Sequence, residues 1–259
     1  MNIHIIGGGN LGVAIAIGIS KYTTDNSVTL TRRNIAAIQH LEQQNISVSS
    51  NNTFEINKAD LVILTIKPYQ VEAVLHEILP HLSDRTVIAS AVSGLSIEKI
   101  EQQIGSKKTV VHIMPNIAIR FGESATCISF QPKNTDLAQP IVQLFDRLGT
   151  VAIIDEKLMD AATVLGACGT AYALRYIRAS MQAGIEIGFD AQTALAIASQ
   201  TAKGAATMAL DEKIHPEQLI DRVTTPQGCT IVGLNEMEHN GFSSSLIKGI
   251  KTSLKKIVE

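Results

Sequence analysis

The chain has 259 residues, 45% hydrophobic and 18% charged, enough to bury a core as one large domain or two modest ones. Its formal net charge of −2 comes without a basic run, Trp is absent and aromatics make up 4%, so neither the electrostatic footprint nor the stacking platform of a nucleic-acid binder is expected. The three cysteines, Cys127, Cys168 and Cys229, are scattered and form no CxxC pair, which argues against a disulfide framework or a metal site and for a reducing, cytoplasmic setting.

The first residues, MNIHIIGGGNLG, read as a short buried strand that stops at glycines and opens an Ala/Ile-rich helix ending near Lys21. No charged n-region precedes the strand, so a signal peptide is not expected. Gly7, Gly9 and Gly12, with Asn10 and Leu11 between them, fit G-x-G-x-x-G in the strand-to-helix context that pattern needs. Gly7 would permit the sharp turn, Gly9 would let a pyrophosphate approach the backbone, and Gly12 would let helix and strand pack closely. The diphosphate would then sit at the positive end of the helix. A glycine turn without a ligand is the plainer alternative; the context favours dinucleotide binding.

Ser27–Thr31 reads as the second strand, ending at Arg32 and Arg33 where an NAD-preferring fold carries an acid for the ribose 2′-hydroxyl. Guanidinium forks suit a 2′-phosphate, so NADP(H) is expected over NAD(H), which stays the secondary option. Residues 35–44 suggest a polar helix and 46–48 a short strand; the following turn brings Asn52 into the candidate cofactor set. The apolar run 59–66 fits a parallel strand covered on both faces, and Ile66, Lys67 and Pro68 at its carboxyl end are candidate walls of the cofactor crevice. A surface Lys before a helix-starting Pro fits Lys67-Pro68 equally well. A helix over 71–82, a strand over 85–91, a helix over 96–104 and a strand over 109–114 follow. Asn116, after Pro115, is a candidate contact for the nicotinamide or its ribose, or an ordinary turn residue. A strand at 124–130, a helix at 135–148 and a strand at 150–154 complete the alternation, beyond which the pattern is helical.

The expected fold is therefore α/β: a Rossmann-type doubly wound domain over residues 1–155, then an all-helical domain over 156–259. The apolar stretch 161–188 is broken by Arg175, Arg178, Gln182 and Glu186 and reads as one buried helix, not a membrane span. Arg175 and Arg178 are expected in ion pairs, and His112, inside an apolar strand, as a satisfied core histidine.

Read in order, Ile6–Gly12, Ile66-Lys67-Pro68, Ser90–Gly94, Met114-Pro115-Asn116, Ala171-Tyr172 and Val223–Thr230 resemble the Δ1-pyrroline-5-carboxylate reductases, through essentially the whole chain. The departures gather on the substrate side: Ile117-Ala118 follows Asn116 where the family has Thr-Pro, and Thr225-Pro226-Gln227-Gly228-Cys229-Thr230 stands for Ser-Pro-Gly-Gly-x-Thr. The resemblance implies NADPH-dependent reduction of a cyclic imine carboxylate to proline, with nicotinamide as hydride source and no metal. It further implies that Thr225, Gln227, Gly228, Cys229 and Thr230 hold the substrate, Thr230 bonding its ring nitrogen. It also implies a homodimer that completes the site, with dimers assembling further. Independently, Gly228 is expected to supply strained torsions and a helix is expected from Ile231; uncapped N–H groups at a helix start attract a carboxylate. Two competing readings are a reductase of a different cyclic imine or oxo acid and a non-catalytic NADP-binding regulatory relative. The expected partner is a small-molecule substrate, and neither nucleic acid nor membrane is expected.

Overall fold

The computed structural model describes residues 1–105 and 108–258. The described residues form an eight-stranded sheet in the order β3-β2-β1-β4-β5-β6-β7-β8. The strands are β1 (Asn2–Ile6), β2 (Ser27–Thr31), β3 (Ile46–Ser49), β4 (Leu61–Leu64), β5 (Val87–Ser90), β6 (Val110–Met114), β7 (Ser124–Phe130) and β8 (Gly149–Ile153). β1 pairs with β2 on one side and β4 on the other, both parallel, so the strand order reverses at β1. A dinucleotide fold opens its crevice there, at the carboxyl ends of the strands.

Period-two alternation explains the uniformly apolar strands. Ile3, Ile5 and Ile63 face a core shared with Ile15 and Ile19 of helix α1 (Asn10–Tyr22) and with Ile141 and Phe145 of helix α4 (Thr135–Asp146). Ile6, Val62 and Leu64 face the opposite core, with Leu75 and Ile78 of α2 (Val71–Ile78) and Ile100 of α3 (Ile97–Ile104). Ser96 caps α3, its hydroxyl accepting from the Lys99 N–H at 3.3 Å.

Several local expectations change. Residues 35–44 form two 3₁₀ segments, Ile35–Ala37 and Gln39–Gln44, instead of one helix; only Leu41 of the second is buried, leaving no continuous apolar stripe to hold an α-helix. α2 tightens into the 3₁₀ turn Leu79–His81, where Pro80 has no N–H to extend the ladder. β7 runs antiparallel to β6, because the link over 115–123 is too short for a crossover and turns back through Gly122 at φ 72°.

The chain divides into two compact units, Met1–Cys168 with Lys256–Glu259, and Gly169–Lys255. The strands end at Ile153, and the first unit continues through the short helix α5 (Met159–Ala162) and a π-helical turn, Thr163–Cys168. The single helix expected over 161–188 is thus interrupted, and only Gly169–Glu186 forms regular helix (α6). The second unit pairs α6 with α7 (Ala191–Glu212), where Gly184 lets the two helices touch: a Cβ there would lie 2.9 Å from that of Ala194. Asp190 caps α7, its carboxylate accepting at 3.0 Å from the N–H groups of Gln192 and Thr193; those bonds hold its pKa below the usual carboxylate value. α8 (Pro216–Arg222), α9 (Cys229–His239) and α10 (Phe242–Val258) follow. The Tyr172 hydroxyl of α6 meets the Ser253 hydroxyl of α10 at 2.7 Å. Among the described residues, no helix is long and apolar enough to cross a membrane, and no group of three or more His, Cys, Asp or Glu could hold a metal ion.

Candidate functional site

The carboxyl ends of β1, β2, β4, β5 and β6 share one edge, which places Gly7, Arg32, Ile66, Lys67 and Asn116 on the same side of the sheet. The glycine turn is stapled there. Gly7 has φ +114°, and its N–H and that of Gly8 donate to the Thr31 carbonyl at 3.1 and 2.9 Å. The Thr65 hydroxyl donates to the Gly7 carbonyl at 2.8 Å. A Cβ on Gly7 would lie 2.6 Å from the Thr65 carbonyl oxygen, and one on Gly12 would collide with the Gly7 carbonyl. Gly7 and Gly12 are thus required by the fold itself. Gly9 differs: nothing lies within 4 Å of where its Cβ would be. The chain does not need glycine there, but a ligand approaching the backbone does. Gly9 is also the N-cap of α1 and offers no side-chain acceptor, so the first-turn N–H groups at Asn10 and Leu11 have no side-chain cap. These observations fit a dinucleotide diphosphate.

At the end of β2, Arg32 folds back so that its guanidinium donates to the Gly8 carbonyl at 2.7 Å, tying it to the glycine turn; Arg33 is exposed. Asn52 lies beside β2, its Oδ1 accepting from the Thr31 hydroxyl at 2.7 Å and its Nδ2 donating to Glu77 Oε2 at 3.0 Å. Thr31 and Glu77 escape a reading of the sequence, since a buried strand threonine and a charged residue on a polar helix face carry no motif. His4, buried in β1, hydrogen-bonds the Asn52 backbone; burial outweighs that bond and pushes its pKa down to about 4.

Ile66 is half-buried, and Lys67 and Pro68 are exposed at the start of a 3₁₀ turn whose Gln70 side chain accepts from the Lys67 N–H at 3.1 Å. Asn116 is buried, and its side chain is engaged within the chain: Oδ1 accepts from Ala118 N–H at 2.9 Å, and Nδ2 donates to the Gly166 carbonyl at 3.3 Å. His112 is only half satisfied: Nδ1 lies 3.1 Å from Glu156 Oε1, while Nε2 is buried without a partner among the described residues. The Cys127 thiol is pushed up in pKa by burial, away from a reactive thiolate. Arg175 and Arg178 are exposed and, among the described residues, neither forms an ion pair; the Arg178 guanidinium instead lies 3.6 Å from Met181 Sδ.

In the second unit, Thr225-Pro226-Gln227-Gly228 is a turn closed by the Gly228 N–H donating to the Thr225 carbonyl at 2.9 Å. The positive φ falls on Gln227, at 60°, whereas Gly228 has an ordinary φ of −74°. The strain expected at Gly228 is therefore displaced by one residue, to a position that a turn with Pro at its second place normally gives to glycine. Gly228 is instead required by proximity, since its Cβ would lie 2.5 Å from the Thr225 hydroxyl oxygen. Helix α9 starts at Cys229, earlier than expected, so Cys229 and Thr230 occupy its first turn behind a glycine N-cap that has no side-chain cap hydrogen bond. Thr225, Gln227, Cys229 and Thr230 are exposed.

Comparison with known proteins gives this geometry a context. Residues 2–94 match the family model described as NADP oxidoreductase coenzyme F420-dependent, and residues 156–259 match that of pyrroline-5-carboxylate reductase dimerisation. Pyrroline-5-carboxylate reductases 1 and 2 of Dictyostelium discoideum are each 42% identical over 98% of this chain; the alignments span 49% of the first relative's length and 91% of the second's. The crystal structure of Plasmodium falciparum pyrroline carboxylate reductase with NADP bound superposes with a TM-score of 0.84 at 26% identity, covering 99% of this chain and 97% of that one. Alike along nearly its whole length to a similarly sized reductase, and carrying that family's dimerisation region after its glycine-turn sheet, the chain belongs to the pyrroline-5-carboxylate reductase family.

Proposed function

We propose that this chain reduces Δ1-pyrroline-5-carboxylate to L-proline with NADPH. The observation that carries the reading is the chain-long relationship to a named reductase, combined with a carboxyl edge whose Gly9 stands open to a ligand. When bound, the reduced nicotinamide supplies a hydride to the imine carbon, and the protonated C=N becomes the ring N–H of proline. The protein's part is positional.

Gly9, Asn10, Leu11 and Gly12 present backbone N–H groups to the diphosphate. Arg32, Arg33 and Asn52 serve the 2′-phosphate, while Ile66, Lys67, Pro68 and Asn116 line the crevice toward the nicotinamide. The uncapped first turn of α9 receives the substrate carboxylate, with Thr225 and Gln227 shaping its entrance and Gly228 and Cys229 supplying close backbone. The Thr230 hydroxyl bonds the ring nitrogen. The exposed apolar side chains of the helical unit support pairing of two copies, and we infer that such dimers assemble further.

The test is NADPH oxidation with Δ1-pyrroline-5-carboxylate, with NADH and a Thr230→Ala variant in parallel. The expected outcome is turnover that is weaker with NADH and reduced by about 10²-fold in kcat/KM in the variant, a loss in the range typical of a positioned hydrogen-bonding group. NADPH binding without turnover on this substrate, but with turnover on a larger cyclic imine, would reassign the substrate and leave the cofactor edge standing.

A further inference from the structure

The nucleotide edge contains a hydrogen-bond relay whose polarity is set by one charged residue. The Glu77 carboxylate of α2 can only accept, so the atom of Asn52 facing it at 3.0 Å has to be the amide nitrogen. That turns Asn52 Oδ1 toward Thr31, whose hydroxyl is then obliged to donate across 2.7 Å. Thr31 is 1% exposed, and its own carbonyl holds Gly7 N–H and Gly8 N–H, so this end of the relay is anchored on the glycine turn. Asn52 has thereby given up its oxygen and one N–H, and what remains to offer a ligand is a second N–H. Arg32 and Arg33 follow Thr31 at the end of β2, so the residues next in the chain to this relay add donors to the one Asn52 keeps.

We propose that Glu77 and Thr31 are positioning residues for cofactor choice: they lock the Asn52 amide with its nitrogen outward, matching a 2′-phosphate, which only accepts, over a 2′-hydroxyl. This inference rests on the reading of Asn52 as a cofactor contact. It also has an unexpected sign. By simple charge, a carboxylate near a 2′-phosphate subsite should disfavour NADPH, and its removal should improve binding. Through the relay, its removal weakens NADPH binding, because Asn52 is free to turn its oxygen toward the phosphate.

The experiment is titration of the purified full chain with NADPH and NADH, following nicotinamide fluorescence without substrate. Glu77→Ala and Thr31→Val are each expected to raise the Kd for NADPH about fivefold, the scale of one neutral hydrogen bond, and to leave the Kd for NADH within about twofold. Glu77→Gln keeps a hydrogen-bonding side chain but can donate as readily as accept, so it releases the lock and is expected to weaken NADPH binding nearly as much as Glu77→Ala. Full retention of NADPH affinity in Glu77→Gln would show that the carboxylate does not set the polarity. Tighter or unchanged NADPH binding in Glu77→Ala overturns the proposal, as does an equal loss for both nucleotides. Asn52→Ala separates the two levels. If it binds NADPH like the parent, the reading of the cofactor edge fails and the relay with it. If it weakens NADPH binding while Glu77→Ala does not, the relay alone fails.

Discussion

His4 shows how one buried side chain writes a pH dependence into the fold. It sits in the first strand at 2% exposure, with Nε2 unpartnered among the described residues, and burial holds its pKa at about 4 against an unperturbed 6.5. The unfolded chain therefore binds the proton first as pH falls. Between about pH 6.5 and 4 protons drain stability from the native state; above that window the contribution is complete. The full shift corresponds to at most about 3 kcal/mol. Urea unfolding midpoints measured from pH 7.5 down to 4 should fall through this window, and a His4→Gln variant should show a flatter profile. An identical slope in the variant would remove His4 as its source.

At the scale of elements, the strand-turn-helix at the start of the chain separates glycines needed by the fold from one, Gly9, that the fold leaves open. Gly12→Ala would drive a methyl into the Gly7 carbonyl and should cost about 1–3 kcal/mol of stability, seen as a lower thermal midpoint. Gly9→Ala meets only open space and should stay within about 0.5 kcal/mol of the parent. Its NADPH affinity should nevertheless drop at least about tenfold, because the methyl occupies the diphosphate's path. Equal stability losses in both would dissolve the distinction.

The same element was the most legible in the sequence, since glycine spacing and strand alternation are local signals. What was not legible depended on partners distant in the chain. Asn52 acquires its orientation from Thr31 on β2 and Glu77 on α2, residues 21 and 25 positions away in the chain. The direction of β7 depends on a short link and a left-handed glycine, and apolar content alone does not reveal strand polarity. The positive φ of Gln227 was hidden because an adjacent glycine was the expected bearer of the strain.

For the whole molecule, the distribution of apolar surface is the governing fact. The sheet unit buries most of its large aliphatic residues in two cores, whereas the helical unit leaves Leu174 57%, Ile187 76%, Leu210 61% and Val232 66% exposed. Ala194, Ala198 and Leu219 are the buried apolar residues it contributes. Residues 156–259 match a dimerisation model, and this surface is what pairing would cover. Stability should therefore depend on protein concentration: the thermal midpoint should fall on dilution, in step with the loss of dimer in sedimentation. A midpoint constant across a hundredfold dilution range, together with a sedimenting monomer, would show that the helical unit is self-sufficient. The helical architecture was foreseeable from the loss of strand signal after residue 154; the π-helical turn that precedes α6 was not, because an inserted residue leaves the apolar content unchanged.

The buried Gly18 gives the sheet unit a gauge. Its missing side chain lets the middle of α1 rest against the Ile119 carbonyl, in the 3₁₀ turn Ile117–Phe121 that Asn116 caps. The helix whose first turn would grip the diphosphate and the loop that would face the nicotinamide thus meet backbone to backbone, like the two jaws of a caliper. An extended dinucleotide laid along this edge would be measured against the spacing which that contact sets.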